Sequence, residues 1–240
     1  MILPEKLSKI AKKSQTSFLN IARDYVQALF LNGFYQQKES SAFFFKGGTA
    51  FHFVYQSPRF SEDLDFSANA FNCRIFEGLL TKSLLFIEKN GLEVDLVESK
   101  PTSGGCLAIF SVLVGRVPVR IQIEVSLRAP KKTKGEAVLI KTSLLPPFGV
   151  LILKEEELAA GKIKALLARK KPRDFYDLYF ILRADLKIKL SEKERVVIVK
   201  EVDSLDRGQV ASELKEFLPR SHRLIIKDLP AALKRELERG

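Results

Sequence analysis

One stretch of the chain, residues 43–67, limits the folds open to it more than any other. Three phenylalanines lead into Gly47-Gly48, a short helical pattern follows from Thr49, and the stretch closes on Asp63-Leu64-Asp65-Phe66. Because strand side chains alternate between two faces, Asp63 and Asp65 are expected on one face and the two apolar residues on the other. The sequence therefore predicts a strand, a glycine turn, a helix and a second strand in succession.

The glycine turn and the aspartate pair have complementary chemistry. A glycine turn that opens a helix presents backbone N–H groups to a phosphate. Two carboxylates on one strand face repel each other without a cation, and Mg²⁺ takes one or two carboxylates together with substrate phosphates. The stretch thus predicts nucleotide handling, with Asp63 and Asp65 as metal ligands. The simpler alternatives are a solvated edge strand and a plain turn with Thr49 as helix N-cap.

A third carboxylate comes from a strand predicted over residues 117–126. Valine and isoleucine alternate strictly with polar residues there, so one face is core and the other carries Arg120, Gln122 and Glu124. A two-metal site needs ligands from neighbouring strands, which makes Glu124 the candidate third ligand. A merely solvated acid in the middle of a strand is the alternative.

Hydrophobic periodicity predicts a mixed α/β half followed by a helical half, with the boundary near residue 154. One or two helices over residues 5–33 are expected to stop at Asn32-Gly33. The other predicted helices lie near residues 49–55, 75–87, 155–171, 174–182, 191–204, 207–217 and 228–239. Further strands or short apolar segments are predicted at residues 92–98, 107–114, 138–140 and 150–153, with a hairpin turn at Gly115-Arg116.

The helical half opens with a basic segment. Residues 162–173 hold six lysines and arginines and no acid, and Lys162 and Arg169 are seven residues apart, which places them on one helical face. Arg173 and Asp177 have the i,i+4 spacing of an ion pair, and Asp174 and Asp177 share a face. This arrangement indicates a positioned network, for chemistry or for holding the two halves together.

The net charge of +11 is spread over both halves and includes a basic loop at residues 129–135. It favours a polyanionic partner, above all a nucleic acid, although a thermophile-like composition rich in Lys and Glu explains it equally well. No apolar run approaches the roughly 20 residues that span a bilayer, and no signal peptide is evident, so a cytoplasmic protein without membrane contact is expected. Cys73, Cys106 and the two histidines are assigned no chemical role.

Three motifs in this order carry a family resemblance. The segments KGGTA…RFSEDLDFS, IQIEVS and LAAGKIKALLARKKPRDFYDLYFIL resemble the nucleotidyltransferase toxins of the AbiEii/AbiGii type, over roughly residues 40–185. The resemblance implies an α+β fold: a DNA-polymerase-β-like nucleotidyltransferase mixed sheet with flanking helices, followed by an all-helical C-terminal half. Residues 1–153 would form the nucleotidyltransferase domain with its N-terminal helices, and residues 154–240 a helical domain that completes the active site.

The resemblance also implies a role for each matching residue. The triphosphate would be bound by Gly47, Gly48, Thr49, Lys162 and Arg169. Mg²⁺ or Mn²⁺ would be bound by the catalytic acids Asp63, Asp65 and Glu124. Asp174 would act as a base or orienting group, supported by Arg173 and Asp177. Gly161 departs from the family pattern, because an acid is common just before the lysine.

The implied activity is transfer of a nucleoside monophosphate from a nucleoside triphosphate to an acceptor hydroxyl. An RNA acceptor, at the 3′ end of a tRNA, fits the family, as does a toxin role in a toxin–antitoxin or phage-defence system with a cognate antitoxin. Two alternatives stay open. One is transfer to a small-molecule or protein hydroxyl, and the other is a non-catalytic module that binds nucleotide or RNA.

Overall fold

The computed structural model describes residues 2–69, 72–127 and 135–239. The basic loop predicted at residues 129–135 lies outside these ranges except for Gly135, which begins a strand. The chain divides into two compact units. The first comprises Met1–Gln56 and Phe60–Leu153, and the second comprises Ser57–Arg59 and Lys154–Gly240.

The first unit is a mixed sheet with helices. Its helices are α1 (Pro4–Lys13), α2 (Phe18–Tyr35), α3 (Gly47–Tyr55) and α4 (Cys73–Lys89). Its strands are β1 (Phe43–Lys46), β2 (Leu64–Ala68), β3 (Glu93–Thr102), β4 (Gly105–Val114), β5 (Val117–Ser126), β6 (Gly135–Ile140) and β7 (Phe148–Leu153). Together these strands form one seven-stranded sheet in the order β3-β4-β5-β2-β1-β7-β6.

The centre of this sheet combines both strand directions. β2 runs antiparallel to β1 and parallel to β5, and β1 runs parallel to β7. β4 and β5 form the predicted hairpin, in which Val114 lies opposite Val117. The alternation predicted for β5 is confirmed, because Val119, Ile121 and Ile123 are fully buried while the residues between them are exposed or half-buried.

Helix α2 packs against α4 and lies under the sheet centre. The aromatic rings of Phe34 and Phe66 are 5.0 Å apart, which joins α2 to β2. The predicted stop at Asn32-Gly33 is wrong, since α2 continues to Tyr35. A Cβ atom on Gly33 would lie 2.8 Å from the Cβ of Phe86, so this glycine allows the two helices to approach closely. Tertiary packing therefore explains a glycine that the local pattern indicates as a helix end.

A disulfide between Cys73 and Cys106 joins the first turn of α4 to β4. Cys106 lies opposite Val125 of β5, on the same face of the sheet as the apolar residues of that strand. The pair therefore links the helical layer of the first unit to its sheet. The sequence analysis assigned no chemical role to these two cysteines and did not predict that they form a disulfide.

The second unit contains helices, and its core is apolar. Its helices are α5 (Glu155–Arg169), α6 (Pro172–Arg183), α7 (Glu192–Asp203), α8 (Arg207–Phe217) and α9 (Ile225–Arg239). Proline at the first position of α6 has no N–H group to leave unsatisfied there, which explains why a new helix starts at the predicted break. Leu178, Leu214 and Leu233 are fully buried and bring α6, α8 and α9 to one core.

Two glycines inside helices provide a test of the α2–α4 packing. Gly33→Ala should destabilise the protein by about 1 kcal/mol, because overpacking costs about 1–3 kcal/mol and the gain in helix propensity is about 1 kcal/mol. Gly78→Ala in α4 is the matched control: nothing lies within 4 Å of its added Cβ, so it should stabilise by up to about 1 kcal/mol. Urea unfolding followed by circular dichroism measures both, and equal effects would contradict the packing explanation.

Candidate active site

The glycine turn and Asp65 are in direct contact. Gly47 begins α3 with a φ of +81°, a conformation that residues with side chains rarely adopt. A Cβ atom on Gly47 would lie 2.1 Å from Oδ2 of Asp65. Gly47 is therefore glycine for two reasons, the left-handed backbone and the carboxylate packed against its Cα. This contact places an acid beside the first turn of a helix.

Thr49 does not cap this helix. The N-cap residue of α3 is Lys46, and Thr49 lies inside the first turn, so the alternative reading of Thr49 as N-cap is wrong. Its side chain is fully buried, and its hydroxyl Oγ1 donates a hydrogen bond of 2.5 Å to the backbone carbonyl of Asp63. Thr49 thus fixes the chain just before β2, which positions Asp63 and indirectly Asp65.

Asp65 and Glu124 lie side by side on neighbouring strands. They are partners in the parallel register of β2 and β5, and partners in register carry their side chains on the same face. Nε2 of Gln122 donates a hydrogen bond of 2.8 Å to Oε1 of Glu124, which orients that carboxylate. Leu64 and Phe66, the neighbours of Asp65 in sequence, are fully buried on the opposite face. The predicted alternation is confirmed for Leu64, Asp65 and Phe66, whereas Asp63 lies one residue before the strand.

Lys46 extends this row of charges and was missed by sequence reasoning. It is the register partner of Asp65 on β1, so the row reads Lys46, Asp65, Glu124 across three adjacent strands. Burial lowers the pKa of Lys46, while the carboxylates of Asp65 and Glu124 act in the opposite direction. Its position directly before the two glycines was the available signal, because alternation from the buried Phe45 places Lys46 on the other face.

The acids suit a divalent cation whose coordination shell is completed by the substrate. Among the described residues, no group of three or more His, Cys, Asp and Glu side chains is gathered to hold a metal ion by itself. Asp65 and Glu124 supply two carboxylates in register, and Asp63 lies one residue before β2. Mg²⁺ usually takes one or two protein carboxylates plus substrate phosphates, so this donor set suits it.

In the helical unit, two cations enclose one buried carboxylate. Oδ1 of Asp177 accepts from Nε of Arg59 at 2.7 Å, and Oδ2 accepts from the other guanidinium arm at 2.8 Å. The ammonium of Lys162 lies 2.6 Å from Oδ2. Burial raises the pKa of Asp177, but Arg59 and Lys162 outweigh it and hold that pKa at about 2. Lys162, which was predicted to bind phosphate, is therefore paired with an acid in this structure.

The neighbouring polar residues have separate partners. Asp174 is fully buried, and its Oδ1 accepts from Arg169 at 2.6 Å. Oδ2 of Asp174 has no hydrogen-bond partner among the described residues. Arg173 bonds to Glu213 at 2.5 Å and lies over the ring of Phe217, so the predicted Arg173–Asp177 pair is wrong. Burial of Asp174 favours an orienting role over direct proton transfer.

Arg59 is the second functional candidate that sequence reasoning missed. It is 118 residues from Asp177 in the chain, and it belongs to the three-residue segment Ser57–Arg59 that packs with the helical unit. The segment follows the break after α3, where Gln56 adopts a left-handed conformation with a φ of 58°. The only signal in the sequence was that Arg59 lies shortly before the aspartate pair. That position does not indicate which distant residue it contacts.

These features are typical of one class of protein, the nucleotidyltransferases. They are the glycine turn between β1 and α3, the acids in register and the helix that carries Lys162. The sequence profile described as "Nucleotidyl transferase AbiEii toxin, Type IV TA system" matches residues 29–238. The chain belongs to this family of type IV toxin–antitoxin nucleotidyltransferases. A search of curated proteins found no match.

Solved structures confirm the fold. The chain is similar to JHP933 from Helicobacter pylori, with a TM-score of 0.64 and 18% identity over 93% of this chain and 92% of that one. It is also similar to MenT4, a nucleotidyltransferase toxin from Mycobacterium tuberculosis H37Rv, with a TM-score of 0.61 and 19% identity over 99% and 89% of the two chains.

Among the described residues, no helix is both long and apolar enough to cross a membrane.

The contact between Gly47 and Asp65 leads to a first test of the site. Gly47→Ala should lower triphosphate binding and nucleotidyl transfer at least tenfold, because the added Cβ displaces the Asp65 carboxylate and strains the backbone. Equilibrium titration with a fluorescent nucleoside triphosphate measures the binding. Gly161→Ala is the matched control, since nothing lies within 4 Å of its added Cβ. Unchanged triphosphate binding in Gly47→Ala would show that this turn is not part of the site.

The buried Asp177 predicts an acid-sensitive stability. Its pKa is about 2 in the folded protein and 3.8 ordinarily, so its contribution of about 2 kcal/mol is present above pH 4 and is lost as the pH falls towards 2. Urea unfolding between pH 5 and pH 2 measures this loss. Asp177→Asn should be less stable at pH 7 and should lose less stability over that range. Asp185→Asn, an exposed aspartate of the same unit, should behave as the wild type.

Proposed function

We propose that this toxin transfers a nucleoside monophosphate from a nucleoside triphosphate to an acceptor hydroxyl at the 3′ end of an RNA, with tRNA as the favoured acceptor. The observation that carries the proposal is the register of Asp65 and Glu124 beside the glycine turn of α3. Two acids next to a helix N-terminus suit a substrate that brings both a cation and phosphates. Membership in a type IV toxin–antitoxin family also implies a cognate antitoxin.

The triphosphate is assigned to the first turn of α3. The backbone N–H groups of Gly47 and Gly48 belong to that turn, and the N-cap residue Lys46 makes no side-chain hydrogen bond to it. A helix N-terminus attracts anions through its N–H groups and its dipole. The half-buried ammonium of Lys46 adds a full positive charge on the same side. These groups together would hold the leaving pyrophosphate.

Asp63, Asp65 and Glu124 would hold Mg²⁺ or Mn²⁺, which supplies charge neutralisation at the transferring phosphoryl group. The protein side chains do the rest. Asp65 is fixed by its contact with Gly47, and Asp63 by the hydrogen bond from Thr49 to its carbonyl. Fixed positions matter because most of the catalysis in phosphoryl transfer comes from positioning and electrostatics.

In the transfer step, the acceptor oxygen forms a bond to the α-phosphorus while the bond from that phosphorus to the bridging oxygen breaks. The bridging oxygen keeps the electron pair and leaves with the pyrophosphate. The proton of the acceptor hydroxyl goes to Oε2 of Glu124, because Gln122 already donates to Oε1. The step balances without any oxidant or reductant.

The overall charge supports a nucleic-acid acceptor. A net charge of +11 attracts the phosphate backbone and gives binding that weakens as salt rises. The second unit contributes through the roles that the family resemblance assigns. Lys162 and Arg169 would bind nucleotide, Asp174 would orient a reacting group, and Arg173 and Asp177 would support them. Acceptors with a small-molecule or protein hydroxyl are the competing possibility, together with nucleotide binding without turnover.

A transfer assay tests the proposal directly. The protein is incubated with each α-labelled nucleoside triphosphate, Mg²⁺ and a tRNA pool, and label on RNA is measured on denaturing gels. Asp65→Asn and Glu124→Gln should each lower transfer by about 100-fold or more, as is usual when preorganised charge is removed. Glu136→Gln, an exposed acid on β6 of the same sheet, is the matched control and should transfer as the wild type does.

The second unit is tested in the same assay. Lys162→Met should lower transfer at least tenfold, whereas Lys164→Met, which removes an exposed lysine of the same helix, should change it less than twofold. Unchanged transfer by both Asp65→Asn and Glu124→Gln would contradict the metal-site assignment. Label that appears on a protein or a small molecule but never on RNA would replace the proposed acceptor.

A further inference from the structure

A cavity of about 330 Å³ lies beside Glu124 in the first unit. Its walls come from the β3–β4 turn and from the adjoining ends of β4 and β5, and they include Thr102, Ser103, Leu107, Glu124 and Ser126. The volume is at the lower end of the roughly 300–1,000 Å³ typical of small-ligand sites. Among these wall residues, only Glu124 takes part in the triphosphate arrangement described above.

The chemistry of the walls favours a sugar over a phosphate. Thr102, Ser103 and Ser126 supply hydroxyl groups, and Glu124 supplies a carboxylate that accepts hydrogen bonds. No lysine or arginine is among the described residues that line it, so these walls offer a phosphate one negative charge and no positive one. Leu107 adds an apolar surface that a base can cover. Hydroxyls, one acceptor and one apolar wall together fit a nucleoside.

Two side chains of these walls, Leu107 and Ser126, lie on the same sheet face as Asp65 and Glu124. Leu107 is the register partner of Glu124, and Glu124 is the register partner of Asp65. Ser126 follows Glu124 by two residues on β5 and therefore points the same way. The cavity thus adjoins the proposed site on the side of β5 and β4.

The direction of the reaction separates the acceptor from the leaving group. In an in-line displacement, the attacking and leaving oxygens lie on opposite sides of the phosphorus. The strand order β4-β5-β2-β1 places the cavity at one end of the row and the α3 turn, next to β1 and β2, at the other. The leaving pyrophosphate is assigned to the α3 turn, so the attacking hydroxyl should arrive from the side of Glu124.

We propose that this cavity receives the terminal nucleoside of the RNA acceptor and presents its ribose hydroxyl to Glu124. The inference rests on the proposed function and adds the acceptor subsite to it. Ser126 and Glu124 would bind the ribose diol, and Leu107 would pack against the base. The phosphates of the preceding nucleotides would stay outside the cavity, where its acid does not repel them.

The wall formed by the β3–β4 turn is held in place from two sides. The carbonyl of Gly104 accepts a hydrogen bond of 2.8 Å from the N–H group of Leu127, and Cys106 is bonded to Cys73 on α4. A Cβ atom on Gly105 would lie 1.7 Å from the carbonyl oxygen of Val125, so the turn lies directly against β5. A wall anchored in this way can preserve the shape of a subsite.

A blocking substitution tests the subsite. Leu107→Trp should fill the cavity and lower kcat/KM for the RNA acceptor at least tenfold. Binding of a fluorescent nucleoside triphosphate, measured by equilibrium titration, should stay within twofold of wild type. Leu113→Trp is the matched control, because Leu113 lies on the same strand and face, is exposed, and is six residues from Leu107. Its kcat/KM should equal that of the wild type.

Ser126→Ala removes one cavity hydroxyl without adding bulk, and it tests the subsite if Leu107→Trp does not fold. It should raise KM for the RNA acceptor about tenfold and leave triphosphate binding unchanged. Normal RNA transfer by both folded variants would overturn the subsite, and a parallel loss of triphosphate binding would make the cavity a nucleotide site instead. Absence of transfer to RNA by the wild-type protein would refute the proposed function itself. Failure of the subsite alone gives a different result, because the wild type and both variants would then transfer to RNA equally.

Discussion

The contact between Asp65 and Gly47 is the constraint on which the first unit's site depends. A carboxylate oxygen occupies the space where any other residue would carry a Cβ atom, so the glycine turn and the acid specify each other. Thr49 secures the same place from the helix side through the carbonyl of Asp63. Parallel pairing of β2 with β5 then sets Glu124 beside Asp65. The glycine turn and the two acids are thereby held on regular elements, which position side chains more tightly than loops do.

The helical unit shows a different use of charge. Asp177 is almost completely buried and is satisfied by Arg59 and Lys162 together, which offsets the cost of removing these charges from water. Removing one partner of such a cluster is more costly than exchanging the whole cluster for apolar residues. The cluster therefore ties the segment Ser57–Arg59 to α5 and α6 within this unit, whatever role Lys162 has in catalysis.

Much of the fold could be predicted from local pattern. The bounds of β5 and its alternation were predicted correctly, because a half-buried strand shows its period directly in sequence. Two of the failures share one cause. Gly33 was interpreted as a helix end although it allows contact with Phe86, and Arg173 was paired with Asp177 although Glu213 and Arg59 are the actual partners. In each case a distant residue decided the outcome.

The sequence by itself determined the family, the catalytic candidates and the order of the elements, because motif spacing and hydrophobic period are local properties. Only the tertiary structure decided that Lys46 lies in register with Asp65 and Glu124, and that Arg59 meets Asp177 across 118 residues. The physical reason is that strand register and long-range ion pairs depend on how distant segments pack together. Local pattern shows which face a side chain occupies, and packing decides what it meets there.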